Sequence, residues 1–293
     1  MKPAPFEYVV PKNLNDCLNF LYQHPENSKI LAGGQSLIPT MNFRMAQPEY
    51  LIDINSLNEL SYIRTDKTGG LQIGALSRHY QVESDTIIAQ KAPLLHEVMP
   101  WIGHVQIRSR GTIGGSIVHS DPAAELPAVI VALNAKLKAK SKKKERWIPA
   151  EQFFTGLFAT ALEHNEMLVE IAIPPMPAHS GCSFQEYSRR KGDFALVGVA
   201  CMIALDKNKL CEQVRLVYLG VGEGPVMASQ SCQSLIGKQL TSDLLQQAAK
   251  IASQNDLTPP NDLHASCVYR RHLAEVLGHQ ALVQALEKAE KTF

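Results

Sequence analysis

Two pairs of adjacent glycines, each in a polar setting, constrain this chain more than any other feature. The first pair follows a short apolar strand in Leu31-Ala32-Gly33-Gly34-Gln35-Ser36-Leu37, and the second lies in Gly111-Thr112-Ile113-Gly114-Gly115-Ser116. Adjacent glycines permit unusual φ angles and remove the side chains that would keep a ligand away from the backbone N–H groups. A pyrophosphate is held best by several such groups at once. Together the two turns favour a dinucleotide or another phosphate ligand, although a turn alone explains most single Gly-Gly pairs.

A third glycine-rich segment has a simpler interpretation. Gly220-Val221-Gly222-Glu223-Gly224-Pro225 follows a strand and nearly matches the Rossmann fingerprint. Pro225 occupies the final glycine position, Glu223 would place a negative charge beside a phosphate, and no clear βαβ unit surrounds the segment. The segment therefore predicts a tight turn between two strands.

The N-terminal half alternates between helical and strand-like patterns. Asn13 can cap a helix that buries Cys17, Leu18, Phe20 and Leu21. Strand patterns cover residues 29–32, 50–54 and 71–75, and helical patterns cover 82–101, interrupted by Pro93, and 123–134. Lys136 to Lys140 alternates as an edge strand would. This alternation is typical of an α/β domain.

A cluster of prolines marks the predicted domain boundary. Ile173-Pro174-Pro175-Met176-Pro177 can continue neither a helix nor a central strand. We therefore predict one domain over residues 1–177, with subdomains of about 1–56 and 57–177, and a second over 178–293. The second contains strand patterns at 195–205 and 214–221 and helical patterns at about 242–254 and 267–291.

Composition and charge exclude several classes of function. The formal net charge is +1, and the few aromatic residues, 6% of the chain, are not interleaved with basic ones, so nucleic-acid binding is not expected. No apolar run approaches the roughly 20 residues of a membrane span, and the N-terminus lacks the apolar core of a signal peptide. The sequence thus predicts a cytoplasmic protein without a transmembrane segment.

The cysteines and histidines indicate neither a metal site nor a catalytic base. The six cysteines are scattered without a C-x-x-C pair, so we expect reduced thiols and place any iron–sulfur cluster on another chain. His104 and His119 flank the second glycine pair, but no acid partner is visible, and a structural role is favoured. Asp193 is equally compatible with a turn and with a functional role. The basic stretch from Lys136 to Arg146 could dock a partner, but an exposed hairpin is the commoner reason for such a pattern.

Four segments together resemble a known family. Residues 32–39 resemble the first FAD loop of the medium subunits of molybdenum hydroxylases, the family that includes xanthine dehydrogenase and aerobic carbon monoxide dehydrogenase. Residues 106–116 are similar to the second loop of that family. Residues 189–195 resemble the segment that brings the second domain to the flavin ring, and Tyr269-Arg270-Arg271 also matches. The resemblance runs through nearly the whole chain, in order.

The resemblance implies an α+β fold: a two-part α/β FAD-binding domain of the PCMH type, followed by a smaller domain with an antiparallel sheet and helices. It implies non-covalent FAD, with the diphosphate wrapped by the two loops, no catalytic acid or base, and no metal on this chain. The residues expected to contact the cofactor are Leu31, Ala32, Gly33, Gly34, Gln35, Ser36, Leu37, Ile102, Ile107, Gly111, Thr112, Gly114, Gly115, Ser116, Asp121, Glu125, Leu168, Glu186 and Phe194. Of these, Ile102, Ile107 and Phe194 would lie beside the flavin ring or its ribityl chain. Asp121 and Glu125 would contact the sugar and adenine end, and Leu168 would be an apolar contact.

Three positions depart from the family pattern. Gln35 replaces a common His, which excludes a covalent flavin–histidine bond at that position. Glu186 stands where several relatives have Lys, or Gln185 does if the alignment shifts by one residue. Phe194 replaces a Tyr and loses its hydroxyl. The last two changes could alter the flavin potential or the electron acceptor.

The function implied by the resemblance is electron relay. FAD on this chain would take electrons from the [2Fe-2S] clusters of a small partner subunit and pass them to an external acceptor. A molybdopterin-binding large subunit would choose and oxidise the substrate, and the complex would assemble as a dimer of heterotrimers. Two alternatives remain open: a stand-alone flavin dehydrogenase, and a non-enzymatic assembly subunit that has lost the flavin.

Overall fold

Three β-sheets and their helices build the fold in the computed structural model, which describes residues 1–293. The first sheet is parallel, with strand order β1-β3-β2. Its elements are β1 (Glu7–Val9), α1 (Leu14–Gln23), β2 (Ser28–Leu31), α2 (Leu37–Asn42) and β3 (Tyr50–Asp53). The predicted start of α1 is confirmed, because the Asn13 side chain accepts a hydrogen bond from the Asp16 N–H at 2.9 Å.

The second sheet is antiparallel, with strand order β4-β5-β10-β6-β7. Turns join β4 to β5 and β6 to β7, short helices occupy the long connection from β5 to β6, and a separate two-stranded β8–β9 sheet contacts α7 and α9. The elements are β4 (Ile63–Thr65), β5 (Leu71–Gly74), α3 (His79–Ser84), α4 (Thr86–Lys91), α5 (Pro93–Val98), α6 (Val105–Arg110), α7 (Ile113–His119), α8 (Glu125–Ala132), β6 (Lys136–Lys140), β7 (Glu145–Pro149), α9 (Ala150–Phe153), β8 (Phe154–Gly156), β9 (Ala159–Thr160) and β10 (Met167–Ile173). Single 3₁₀ turns span Asn58–Leu60 and Met99–Trp101.

Two expectations for this region need correction. Strand β6 is not an edge strand, because it pairs with β10 on one side and with β7 on the other. The helical pattern of residues 82–101 is cut into short helices, since Asp85 caps α4 and Pro93 begins α5. The basic stretch forms the predicted hairpin, in which Lys138 and Glu145 pair across the strands at 3.2 Å.

The third sheet is antiparallel, with strand order β11-β12-β13-β14. Its elements are β11 (Ser180–Ser188), β12 (Ala195–Leu205), β13 (Cys211–Leu219), β14 (Val226–Met227), α10 (Ser229–Leu235), α11 (Ser242–Ile251) and α12 (Cys267–Glu290), with a π-helical turn at Ala252–Asp256. The Gly220–Pro225 segment joins β13 to β14, which confirms the predicted turn. No helix of the structure combines the length and the apolar character that crossing a membrane would require.

Every residue of β12 is buried, because helices cover both faces of the third sheet. Val199, Cys201 and Ile203 join the core formed with α10, α11 and α12. Ala200 and Met202 point the other way, into the core shared with α5 and α8. An unbroken apolar strand is what such two-sided burial requires. The third sheet is therefore packed firmly against the first part of the chain.

Polar contacts also join the third sheet to the first part of the chain. One Glu97 carboxylate oxygen on α5 accepts the Phe184 N–H of β11 at 3.0 Å, and the other binds Lys288 of α12 at 2.6 Å. The Gly220 N–H donates to the Pro122 carbonyl at 2.8 Å. These contacts fix the position of the C-terminal sheet relative to α5 and to the turn between α7 and α8, of which α7 contains the second glycine pair.

Arg270 on α12 is expected to be a large contributor to stability. Its buried guanidinium donates to the carbonyls of Leu196 and Gly220 and pairs with Asp262 at 2.7 Å. Arg270→Ala would leave two carbonyls without their donor, and we expect a loss of about 3 kcal/mol in the free energy of unfolding. Chemical denaturation measures this loss. The half-buried neighbour Arg271 is the control, and a loss after Arg271→Ala as large as that after Arg270→Ala would contradict the assignment.

Candidate functional site

The two predicted glycine loops meet in the structure. The first glycine loop, residues 31–37, leaves the end of β2, and the second glycine loop, residues 111–116, leads from α6 into α7. A Cβ atom on Gly33 would lie 2.6 Å from the Arg110 carbonyl oxygen and 2.8 Å from the Gly111 Cα. Both neighbours are backbone atoms, which cannot move without a shift of the whole loop. The close approach of the two loops therefore requires glycine at position 33.

The second glycine loop is pressed against the five-stranded sheet. A Cβ on Gly114 would lie 2.6 Å from the Ala75 carbonyl oxygen, and the Gly114 N–H donates to that oxygen at 2.9 Å. Thr112 caps α7, since its hydroxyl accepts the Gly115 N–H at 3.1 Å. The Gly114 and Gly115 N–H groups are therefore bonded within the chain, and the second glycine loop is fixed in place. Together with the first glycine loop it forms a cradle of fixed backbone, a shape that suits a diphosphate group.

A cavity of about 420 Å³ lies along the first glycine loop. Its walls combine loop residues with polar groups from β3 and from the end of α6, namely Leu31, Ala32, Gly33, Gly34, Gln35, Ile38, Pro39, Asp53, Asn55 and Arg110. Within the loop, the Gln35 amide folds back and donates to the Gly33 carbonyl at 3.0 Å. Gln35 thus stabilises the loop from within.

Asp53, Asn55 and Arg110 were not among the residues predicted from the sequence. Burial alone would raise the pKa of Asp53, but hydrogen bonds from Tyr8 and Asn55 and the charge of Arg110 lower it overall. Asp53 is thus a carboxylate that anchors its neighbours. A sequence signal existed, because Asp53 and Asn55 lie at the end of the strand pattern of residues 50–54, and ligands of α/β sheets gather at the carboxyl ends of strands.

The remaining predicted residues divide into exposed and buried groups. Ile107 is partly exposed on α6, and Phe194, 72% exposed, lies in the segment between β11 and β12. Gly192 of that segment packs on the His104 ring, where a Cβ would lie 2.7 Å from Nδ1. The second domain therefore reaches the start of α6. Ile102 and Leu168, by contrast, are buried in the main core, so packing is the role that their positions display.

Glu125 and Glu186 are two buried carboxyl groups, one on a helix of the first domain and one on a strand of the second. Glu125 begins α8 and is 7% exposed, while Glu186 on β11 is 9% exposed and its Oε2 has no hydrogen-bond partner. Burial, with a further effect from Asp121, raises the pKa of Glu125 to about 7. Burial and then the charge of Glu125 raise the pKa of Glu186 to about 9. Both pKa values are thus raised above the ordinary value of 4.5 for a glutamate.

The polar residues beside the second glycine loop contact one another and nearby rings. His119 lies 4.0 Å from Asp121, an acid partner that was not visible in the sequence, and packs on the Phe158 ring, with 5.2 Å between ring centroids. His104 supports Gly192, as described above, and the Asp193 N–H donates to the Arg190 carbonyl in a turn.

Two family models match successive parts of this chain. A family described as "FAD binding domain in molybdopterin dehydrogenase" matches residues 4–176, and one described as "CO dehydrogenase flavoprotein C-terminal domain" matches residues 182–285. The chain is 40% identical over its whole length to the 6-hydroxypseudooxynicotine dehydrogenase complex subunit alpha of Paenarthrobacter nicotinovorans, covering 98% of that protein. It is 39% identical to the glyceraldehyde dehydrogenase medium chain of Sulfolobus acidocaldarius, over 96% of this chain and 98% of the other.

A solved structure of carbon monoxide dehydrogenase from Hydrogenophaga pseudoflava, which lacks the Mo-pyranopterin moiety of the molybdenum cofactor, contains a similar chain. The TM-score is 0.94 at 35% identity, and the match covers 98% of this chain and 99% of the other. The expected two-domain fold, with mixed helices and antiparallel sheets, is confirmed, and the glycine cradle occupies the matched FAD-binding domain. The chain therefore belongs to the family of FAD-binding flavoprotein subunits of the molybdopterin dehydrogenases, also called molybdenum hydroxylases.

Proposed function

We propose that this chain relays electrons through FAD within a molybdenum-containing hydroxylase. The observation that carries the proposal is the contact between the two glycine loops at Gly33 and Gly111, inside a matched FAD-binding domain. Bound FAD would supply the redox chemistry, and the residues of this chain would hold it, orient it and tune its potential.

In this proposal the backbone of the two glycine loops binds the diphosphate. Ile107 and Phe194 would shield the flavin ring from opposite domains, because both side chains are exposed and the Gly192 segment brings Phe194 towards α6. Asp121 would contact the sugar end. Ile102, Leu168, Glu125 and Glu186 are buried, so we propose that they shape the wall behind the cofactor. We also propose that the boundary between the two domains lies near residue 177.

The partners follow from the relatives. This chain is similar over nearly its full length to proteins named as a subunit or a medium chain. We propose a large molybdopterin-binding subunit and a small [2Fe-2S] subunit as its partners, in a cytoplasmic dimer of heterotrimers. The relatives are named for different compounds at 39% and 40% identity. The substrate of the complex is therefore assigned to the large subunit and not to this chain.

A purified full chain tests the central claim. We expect a flavin absorption spectrum, and mass spectrometry of the ligand released by denaturation should identify one equivalent of intact FAD. Gln35 provides no site for a flavin–histidine bond, so no flavin should stay attached to the denatured chain. A folded, colourless protein that also fails to bind added FAD would contradict the proposal and favour the assembly-subunit alternative. Oxidation of an organic donor by the isolated chain would favour a stand-alone dehydrogenase.

A further inference from the structure

We infer that Arg78 and Asn55 form a clamp that holds the two glycine loops at the spacing needed for a diphosphate. Neither residue belongs to a glycine loop, so each would be a positioning residue. The inference deepens the proposed function and rests on it as regards FAD. The clamp itself consists of contacts within this chain and can be tested without the cofactor.

The clamp is a chain of hydrogen bonds from one loop to the other. The Asn55 amide donates to the Ala32 carbonyl of the first glycine loop at 2.9 Å. One arm of the Arg78 guanidinium donates to the Asn55 amide oxygen at 2.5 Å. The other arm donates to the carbonyl of Arg110, the residue that precedes the second glycine loop. Two side chains thus span the gap between the loops.

Each member of the clamp is itself fixed. The Asp53 carboxylate accepts the backbone N–H of Asn55 at 2.8 Å and the second amide hydrogen of the Asn55 side chain at 2.6 Å. The backbone N–H of Arg78 donates to the Gln81 side chain at 2.8 Å, and Arg78 forms a backbone bridge with Thr112. The planar fork of arginine suits two acceptors in fixed directions, whereas the ammonium of lysine does not impose such geometry.

The architecture explains why a clamp is needed. The first glycine loop follows a strand of the parallel sheet, whereas the second is anchored to the antiparallel sheet through Gly114 and Ala75. A diphosphate that binds both loops needs a constant distance between the two sheets. The contact of Gly33 with Arg110 and Gly111 stops the loops from approaching further. The Arg78–Asn55 clamp stops them from moving apart.

The clamp also brings positive charge to the site. Burial, together with the charge of Arg110, lowers the pKa of Arg78, but a guanidinium stays protonated in proteins. Arg78 and Arg110 are close enough for their charges to interact, and Asp53 is the carboxylate that acts on both. Two cations beside one carboxylate leave a positive balance next to the first glycine loop, which favours an anionic ligand.

The test compares Arg78→Ala, Arg78→Lys and Asn55→Ala in the full chain stripped of cofactor. Titrations with FAD and with riboflavin, which lacks the diphosphate, give the dissociation constants. We expect each variant to bind FAD roughly ten- to hundredfold more weakly, the cost of losing a hydrogen bond to a charged group. Riboflavin binding should be unchanged. The double variant Asn55→Ala/Arg78→Ala should lose no more than either single variant, because both break the same chain of bonds.

Amide hydrogen exchange without flavin tests the clamp separately from the proposed function. Exchange should rise in both glycine loops in Arg78→Ala and in Asn55→Ala, even if the chain proved to bind no FAD. The matched control is Arg64→Ala, since Arg64 also makes a hydrogen bond at 2.9 Å, to Gln72, and an ion pair at 3.6 Å, to Glu170, but outside the loops. Arg64→Ala should change neither exchange nor FAD affinity.

Three results would overturn the inference. If Arg78→Lys binds FAD as tightly as the unaltered chain does, Arg78 acts through its charge alone and does not hold the two loops at a fixed spacing. If exchange in the loops stays unchanged in both Arg78→Ala and Asn55→Ala, the loops keep their spacing without the clamp. Equal losses of FAD and riboflavin affinity would also overturn it, because the effect would then not depend on the diphosphate.

Discussion

Gly33→Ala is expected to weaken FAD binding by at least a hundredfold, or about 3 kcal/mol or more. The added Cβ would lie 2.6 Å from the Arg110 carbonyl oxygen and 2.8 Å from the Gly111 Cα, distances at which one loop must move. The diphosphate would then lose several backbone donors at once, each worth about 1–3 kcal/mol when a charged acceptor is involved. Fluorescence titration of the stripped chain with FAD measures the change.

Gly224→Ala is the matched control for this experiment. Gly224 lies in the turn between β13 and β14, and the nearest atom to an added Cβ there is the Phe154 Cβ at 3.7 Å, an ordinary contact. FAD affinity should therefore stay at the level of the unaltered chain. Circular dichroism should show that both variants are folded. A Gly33→Ala protein that binds FAD as well as the control does would show that the two loops do not act together.

Glu186→Gln is expected to make the protein more stable at alkaline pH and to have little effect in mild acid. The pKa of Glu186 is raised to about 9 in the folded chain, against an ordinary value of 4.5. Between these values the folded chain binds more protons than the unfolded chain, so the stability of the unaltered protein falls as pH rises. The amide that this substitution introduces has no charge to bury. The free energy of unfolding of the variant, relative to that of the unaltered protein, should therefore grow by up to about 1.4 kcal/mol for each unit that the pH rises.

Denaturation at a series of pH values from 5 to 9 measures this difference. Glu125→Gln should also flatten the profile, because the charge of Glu125 contributes to the raised pKa of Glu186. The control is Glu166→Gln. Burial alone would raise the pKa of Glu166, but hydrogen bonds from the Arg146 side chain and the Glu163 backbone lower it overall. This carboxylate is therefore ionised throughout the pH range. Glu166→Gln should destabilise the protein by a constant amount. A Glu186→Gln profile parallel to that of the unaltered chain would refute the expected ionisation.

Features that depend on a few neighbouring residues could be read from the sequence. The Asn13 cap of α1, the turn at Gly220 and the C-terminal helix all follow from local backbone preferences and side-chain spacing. Paired glycines likewise revealed both loops before any fold was known. The resemblance to flavoprotein subunits added the expectation that the loops serve one cofactor.

Features that depend on strand order were harder to predict. An alternating strand such as β6 has the same pattern at an edge as beside a second strand, and only its pairing with both β10 and β7 shows where it lies. The burial of Glu186 is a second case. The resemblance predicted a cofactor contact at this position, and only the fold shows that the side chain is buried.

The sequence by itself determined the positions of the turns, the helix caps and the glycine loops whose backbone can approach a ligand. These features depend on φ angles and on hydrogen bonds within about four residues. Only the tertiary structure decided what surrounds the glycine loops. Arg78 forms hydrogen bonds with Asn55, 23 residues away in the sequence, and with Arg110, 32 residues away. Such contacts, and the burial that raises the pKa values of Glu125 and Glu186, exist only once sheets and helices pack together, since burial is a property of the assembled fold.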